Sequence, residues 1–380
     1  VSRPPLSIGG QWIGSSEGNN SEIVLDLDES VDGYRGTVRI FLSDGSPGVV
    51  CELELPQDFD AFELKPRLVW IPDGPPRIVD TTEMRRLFPQ QQFAETAVVK
   101  LKKAGPQLVL DWSTDIGTTG QVLLSRTDMN SPSELEAKTV TWEDFKDIAL
   151  SNAPGSLIFR GQPKPYRLRT AFHRTYRKDL VRYVADDIPT AHRQLTARTD
   201  HIFNMENGPE RGAFWNLLQH HGFPTPLLDW TYSPFVAAFF AFRRRKPSDE
   251  TDRRVRILAF EKVAWTRDFN QLDAVNFSRR HFSILEALAI ENPRAIPQQA
   301  VSTLTNVDDI EGYIRQREVE QERVYLRAFD LESSIRPQVM AELSLMGITA
   351  GSLFPGLDGA CEELMGRFFH HQVPPKKTSA

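Results

Sequence analysis

Two stretches of the sequence gather side chains that could do chemistry. In the first, Arg160 stands before Gly161 at the end of a short apolar run, Ser156 to Arg160. A guanidinium at a strand end beside a permissive backbone can clamp a phosphate or carboxylate bidentately. An ion pair to a residue such as Asp229 would use the same group structurally. In the second, Gln219 to Pro234 crowds His220, His221, Thr225, Asp229, Trp230, Thr231, Tyr232 and Ser233 between two apolar stretches. Polar side chains near a core need partners. The segment therefore reads either as a ligand-facing surface or as a rigid turn in which Asp229 accepts backbone N–H bonds, Ser233 caps a helix and Trp230 packs. His220 and His221 are adjacent, so on a helix they diverge by roughly 100° and do not readily share a metal. No third ligand follows at close spacing, and no metal site is expected. Further on, Glu320 and Glu322 stand two apart before an apolar run from Val324. A strand reaching back that far would point both carboxylates the same way; otherwise they belong to the charged run Arg315 to Arg323.

The elements that must position these groups are bounded by composition. The 380 residues suffice for two ordinary domains, and 40 % hydrophobic with 25 % charged residues is an ordinary globular balance. Net charge is −6, from 45 basic and 51 acidic residues, which gives no diffuse attraction to a phosphate backbone. Nucleic-acid binding would need a local patch, and Arg243 to Lys246 is the run that leaves it open. Cys51 and Cys361 are the two cysteines, too far apart in sequence for a metal pair or a disulfide scaffold. A reducing, cytoplasmic setting fits them. No apolar run reaches the length of a membrane span, and Phe235 to Phe242 is far too short.

The first 130 residues read as antiparallel β structure: Ser21 to Leu27, Tyr34 to Leu42, Val49 to Leu55, Leu68 to Ile71, Ala97 to Leu101, Gln107 to Trp112 and Gly120 to Leu124 alternate in part with period two. Asp32-Gly33 and Asp44-Gly45 are turn signals between them. A barrel or sandwich over 1–130 follows, with Trp12, Trp70 and Trp112 as core or barrel-mouth aromatics. Asn130 to Ser133 marks a boundary, and a helix-rich α+β domain is expected over 133–380. In it, Thr141 caps a helix, Pro209 opens another that ends before Gly222, and Ser233-Pro234 starts a buried apolar helix. Strands are expected at Val255 to Phe260 and Arg323 to Phe329, and helices at Phe282 to Ile290, Pro337 to Met346 and Gly359 to Phe369.

Taken together, Phe159-Arg160-Gly161-Gln162, the long run from Trp215 through His221-Gly222, Asp229-Trp230 and Ser233-Pro234 to Ala241, Asn292-Pro293-Arg294 with Gln298, and Leu353 to Gly359 resemble successive blocks of the FRG domain family, named for its Phe-Arg-Gly motif. The resemblance spans roughly 140 to 370. Such domains are similar in motif order to the ADP-ribosyltransferase superfamily. This implies an ADP-ribosyltransferase-like fold with NAD as substrate, Arg160 on the first core strand, Thr231 or Ser233 on a second, and Gln298 third. Gly161, His221, Thr225, Asp229 and Trp230 would line the cofactor. Glu320 and Glu322 compete for the third place, since they resemble the paired acidic signature of protein-modifying transferases. A glutamine is no general base, so with Gln298 third either the acceptor is intrinsically nucleophilic or His221 or Asp229 helps with its proton. Pro226 stands where the family pattern suggests Arg, and Ala300 where it suggests Gly. The expectation is NAD-dependent ADP-ribosyl transfer to a macromolecular acceptor, with the β domain recognising a protein target or partner. A noncatalytic nucleotide- or partner-recognition module and an NAD glycohydrolase are the alternatives.

Overall fold

The computed structural model describes residues 7–16, 21–42, 47–57, 61–70, 77–243 and 253–369. The turn expected at Asp44-Gly45 and most of the basic run at 243–246 lie outside the described residues, as does the side chain of Trp70. Alternating apolar residues build strands β1 (Gly10–Ser15), β2 (Glu22–Ser30), β3 (Gly33–Phe41), β4 (Gly48–Pro56), β5 (Ala61–Leu64), β6 (Arg67–Trp70) and β7 (Arg77–Val79). Helix α1 (Thr81–Leu87) follows, then β8 (Ala97–Ala104), β9 (Gln107–Thr114) and β10 (Thr119–Leu124).

These strands form two open antiparallel sheets, in the orders β1-β2-β3-β4-β6-β7 and β10-β9-β8-β5. Neither closes on itself, so the barrel alternative gives way to a sandwich. The physical reason is a shared core: Leu25, Leu27 and Leu53 of one sheet pack with Val99, Leu110 and Leu124 of the other. The sheets touch at one corner through reciprocal bonds between Ile13 and Ser125, of 2.8 and 2.9 Å. Trp12 is buried in this core, and Trp112 packs against it.

Beyond it run β11 (Ala137–Thr139), α2 (Trp142–Leu150), β12 (Ile158–Gln162), α3 (Leu180–Arg182), a π-helical turn (Tyr183–Asp187), α4 (Ile188–Leu195), α5 (Gly208–His220), β13 (Leu227–Thr231) and α6 (Pro234–Phe242). Then come β14 (Arg254–Phe260), α7 (Lys262–Asp268), β15 (Phe282–Leu285), β16 (Ala300–Thr305), α8 (Ile310–Glu320), β17 (Leu326–Glu332), α9 (Arg336–Leu345), α10 (Ala350–Leu353) and α11 (Leu357–Phe369). One seven-stranded sheet, β11-β17-β14-β12-β13-β16-β15, holds them together. The whole is α+β. Local signals behave as their chemistry demands. Thr141 and Asp144 form a reciprocal capping box on α2, Ser233 caps α6 with Pro234 inside its first turn, and Gly222 follows α5 at φ 84°.

Two expected elements differ. Phe282 to Ile290, expected as a helix, begins with strand β15, because Phe282 to Leu285 pair with β16 and Phe282 packs in the core. Leu227 to Thr231 differs from the rigid turn its residues suggested: it is strand β13, paired along its whole length with β16, and it carries Thr231 on a strand as the resemblance implied.

Helix α6 lies on one face of the sheet, and Gly161 permits it. A Cβ at that position would stand 1.8 Å from the Ala237 carbonyl oxygen and 2.8 Å from the Ala241 nitrogen. Backbone meets backbone, so no flexible side chain can yield. Gly161→Ala is expected to cost about 3 kcal/mol of folding stability, read by chemical denaturation; a loss under 1 kcal/mol would show that α6 retreats freely.

The sandwich meets the seven-stranded unit through buried charge. Arg39 pairs with Asp26 at 2.7 Å, both side chains nearly inaccessible, and reaches the Ser278 carbonyl at 3.0 Å. Gln11 bonds Asp26, the Asn306 carbonyl and the Asp308 N–H. Asp28 accepts from Arg177 Nε at 2.6 Å and from the Asp179 N–H at 3.0 Å. Asp179 itself is buried beside Asp28 and Asp26, and desolvation followed by those like charges pushes its carboxyl from 3.8 up to about 7. The folded chain therefore holds this proton over a range in which the unfolded chain has lost it, so Asp179 costs stability progressively as pH rises from about 4 to 7. Asp179→Asn keeps an oxygen for the Val181 and Arg182 N–H groups and is expected to stabilise at pH 8 but not at pH 4. Equal effects at the two pH values, in paired denaturation curves, would refute the ionisation argument.

Candidate ligand-binding site

The central sheet forks at Arg160. β12 pairs with β14 over five residues and β13 with β16 over five, but β12 and β13 meet only at Phe159 opposite Thr231. Phe159 packs in the core under α6, whereas Ile158 joins the core on the other face. Alternation then sends Arg160 out with Ile158. Its guanidinium bridges the fork by donating Nη1–H to the Asp229 carbonyl. Its Nε is buried and has no partner among the described residues. Desolvation is the chief reason its pKa falls to about 10; the Asp229 carboxylate opposes the fall and Arg174 adds to it.

Asp229 is the exposed member of its strand. Its carboxylate is aimed by a chain of hydrogen bonds: the fully buried Thr225 hydroxyl donates to Gln219 Oε1, and Gln219 Nε2 donates to Asp229 Oδ1 at 2.6 Å. Arg174 is exposed, and its Nε and Nη2 donate to the Arg169 carbonyl at 3.3 and 3.0 Å. Burial of part of its side chain lowers its pKa, with Arg169 beside it acting in the same direction. Two guanidinium groups thus share the field of one exposed carboxylate.

The family model for the FRG domain matches residues 155–250. That span holds Arg160, Arg174, Gln219 and Asp229, though it is well short of half the chain. No curated protein and no solved structure matches the sequence.

Within the FRG segment the remaining candidate residues have other work. Gly161 is covered by α6, and Trp230 is a core residue whose Nε1–H donates to Thr303 at 3.0 Å. Thr231 is buried; its hydroxyl donates to the Gln298 carbonyl at 2.7 Å and accepts from the Ser233 N–H at 3.0 Å. Ser233 accepts from the Val236 N–H at 3.2 Å as the cap of α6. Gln298, beyond the matched span, spends an amide hydrogen on the Leu353 carbonyl at 2.9 Å. His221 sits exposed at the end of α5, stacked on His220, whose Nδ1 meets Asn292 Oδ1 at 3.1 Å. Burial lowers the His220 pKa, which keeps that ring neutral near pH 7. Arg243, the described member of the basic run, pairs with Glu362.

Glu320 and Glu322 are not on a strand. Helix α8 ends at Glu320, which pairs with Arg317 at 2.5 Å, and Glu322 lies in the following turn at φ 49°. The apolar run from Val324 becomes a strand only at Leu326, two strands away from β12. The pair is therefore remote from the fork. Arg174 and Gln219 are the contributors that spacing alone did not single out. A signal existed for the first, because Arg167, Arg169, Arg174, Arg177 and Lys178 make a longer, though sparser, basic stretch than 243–246.

Left-handed backbone at Glu322 costs a Cβ-bearing residue roughly 1–2 kcal/mol. Glu322→Gly should raise stability by about 0.5–1 kcal/mol after the entropy of glycine is counted, and leave ligand binding unchanged. Loss of binding in that variant would return the acidic pair to the site.

Proposed function

We propose that the fork between β12 and β13 is a recognition site for a phosphate-bearing, nucleotide-like ligand, with NAD the first candidate. The observation that carries this reading is Arg160: a desolvated guanidinium held in a gap of the sheet, with a buried Nε–H that has no acceptor among the described residues and a second guanidinium, Arg174, near by. A buried unpaired donor costs about 1–3 kcal/mol, and an anion between the two arginines would recover it. Asp229, oriented by Gln219 and open to solvent, is suited to accept hydrogen bonds from ribose hydroxyls.

ADP-ribosyl transfer is a second reading of the same site. Its support is the order of parts: Arg160 on β12, Thr231 directly beside Phe159 on the neighbouring strand, and the Gln298 backbone on the Thr231 hydroxyl. In that reaction the nicotinamide–ribose bond breaks, an acceptor nucleophile bonds the ribose carbon, and nicotinamide and the acceptor's proton depart. Water in place of the acceptor gives hydrolysis. Recognition stands first because Thr231, Ser233 and Gln298 already spend hydrogen bonds on the scaffold.

Titration calorimetry with NAD and ADP-ribose, joined to nicotinamide release and intact-protein mass, tests both. Saturable binding is expected, weakened about tenfold in Arg174→Ala and in Arg160→Lys, which keeps charge but loses the guanidinium fork. Binding without release supports recognition; release with added ADP-ribose mass supports transfer, and without it hydrolysis. Absence of any saturable binding, or binding indifferent to both substitutions, would defeat the proposal.

A further inference from the structure

Away from the fork, the junction between the sandwich and the seven-stranded unit encloses a cleft of about 860 Å³. Small-molecule sites occupy about 300–1,000 Å³. Trp12, Leu108 and Arg126 line it from the sandwich side, and Lys178, Arg280 and Tyr313 from the other. We propose that this cleft binds a small phosphate-bearing organic anion and that its occupancy ties the two units together.

The charge balance at its walls carries the argument. Asp308 is already held by Arg169 through two bonds, of 2.7 and 3.0 Å, and the Lys178 ammonium stands 4.0 Å from the same carboxylate. The lining as a whole sets Lys103, Arg126, Arg169, Lys178 and Arg280 against Asp128, Asp308 and Asp309. Lys178 is buried and donates to the carbonyls of His173, Thr175 and Arg177 at 3.1, 2.8 and 3.0 Å, so its charge is held by dipoles. The other carboxylate of that wall, Asp309, is committed to Arg167 at 3.1 Å, Thr127 at 2.7 Å and the Gly312 N–H at 3.1 Å.

Two arginines of the lining are fixed by neighbours. Arg126 lies over the Trp12 ring at 4.6 Å and donates to the carbonyls of Ser7 and Gly9. Arg280 pairs with Glu22 at 2.7 Å and lies over the Tyr313 ring at 5.4 Å, with its side chain 8 % exposed. Its Nε is a buried donor without a partner among the described residues. Arg126 and Arg280, on separate elements, suit the several oxygens of a phosphate, and the rings with Leu108 offer a surface for an organic body. A ligand spanning both walls would stabilise the junction by linkage.

The test uses the full chain with ATP, ADP-ribose and inorganic pyrophosphate, read by calorimetry and by hydrogen exchange. At least one is expected to bind saturably and to protect Ile8 to Ile13 and Val307 to Tyr313. Protection of those two segments should need about tenfold more ligand in Arg126→Glu and be lost in Arg280→Met, but stay unchanged in Arg367→Gln, an exposed position outside the lining. Arg126 is exposed, so its variant reports even where Arg280→Met fails to fold. No saturable binding at millimolar concentration, or protection that falls in Arg367→Gln and not in Arg126→Glu, overturns the proposal.

Discussion

The contact on which the second half of the chain depends is the seating of α6 on β12 at Gly161. Helix α6 is apolar on nearly every side, so it must be covered all round. Glycine at 161 lets its backbone come down onto the strand. Phe159, one alternation earlier, fills the same side, and Arg160 is turned to the opposite face. Tyr232 and Ser233 alone join β13 to α6. The position of the helix therefore constrains where β13 can run. Its full-length pairing is with β16, and it is ladder-paired with β12 at a single residue. The three residues of the Phe-Arg-Gly motif thus have three separate duties: core, fork and close approach.

The junction with the sandwich is built on a different principle. Asp26, Asp28, Arg39 and Asp308 are almost wholly removed from water, and desolvation makes such pairs poor sources of net stability. Their value is directional. Gln11 can satisfy Asp26, the Asn306 carbonyl and the Asp308 N–H in one arrangement, and a shifted interface would strand several charges at once. An apolar contact of equal area would tolerate sliding. Phe277 against Phe41, Val50 and Val69 supplies the apolar part.

Much of this architecture was legible because it is written in local chemistry. Period-two alternation located most sandwich strands, and Thr141, Ser233-Pro234 and Gly222 marked helix ends, since capping and positive φ are decided within a few residues. What escaped was decided at long range. Leu227-Leu228-Asp229-Trp230-Thr231 is only five residues after a proline, and its own residues do not decide for a strand; it becomes one because β16, some seventy positions on, pairs with it. Phe282 to Leu285 has no helical or strand signature of its own. The sandwich closes through the packing of two open sheets, which alternation alone does not distinguish from a barrel. Resemblance to the FRG family located Arg160 and Asp229 in one neighbourhood, but residue type could not say that Trp230 and Thr225 face inward.

The hydroxyls and amides near the fork limit the chemistry it can perform. Thr231 has one hydrogen to donate and gives it to Gln298, while the Ser233 N–H takes one of its lone pairs. Only a lone pair remains for a ligand. Gln298 holds the Leu353 carbonyl, and withdrawing that amide would leave a backbone acceptor at the base of α10 without its partner. Arg160 and Asp229 differ from these. Arg160 retains an unused donor, and the Asp229 carboxylate is fixed by one hydrogen bond through one oxygen, with the other open to solvent. Binding capacity is therefore concentrated in the charged members of the fork, whereas its neutral members are committed to holding the strands apart. A ligand that engages the charges alone leaves the scaffold intact. One that recruits Thr231 or Gln298 as reacting groups must first break the bonds that keep the site in shape.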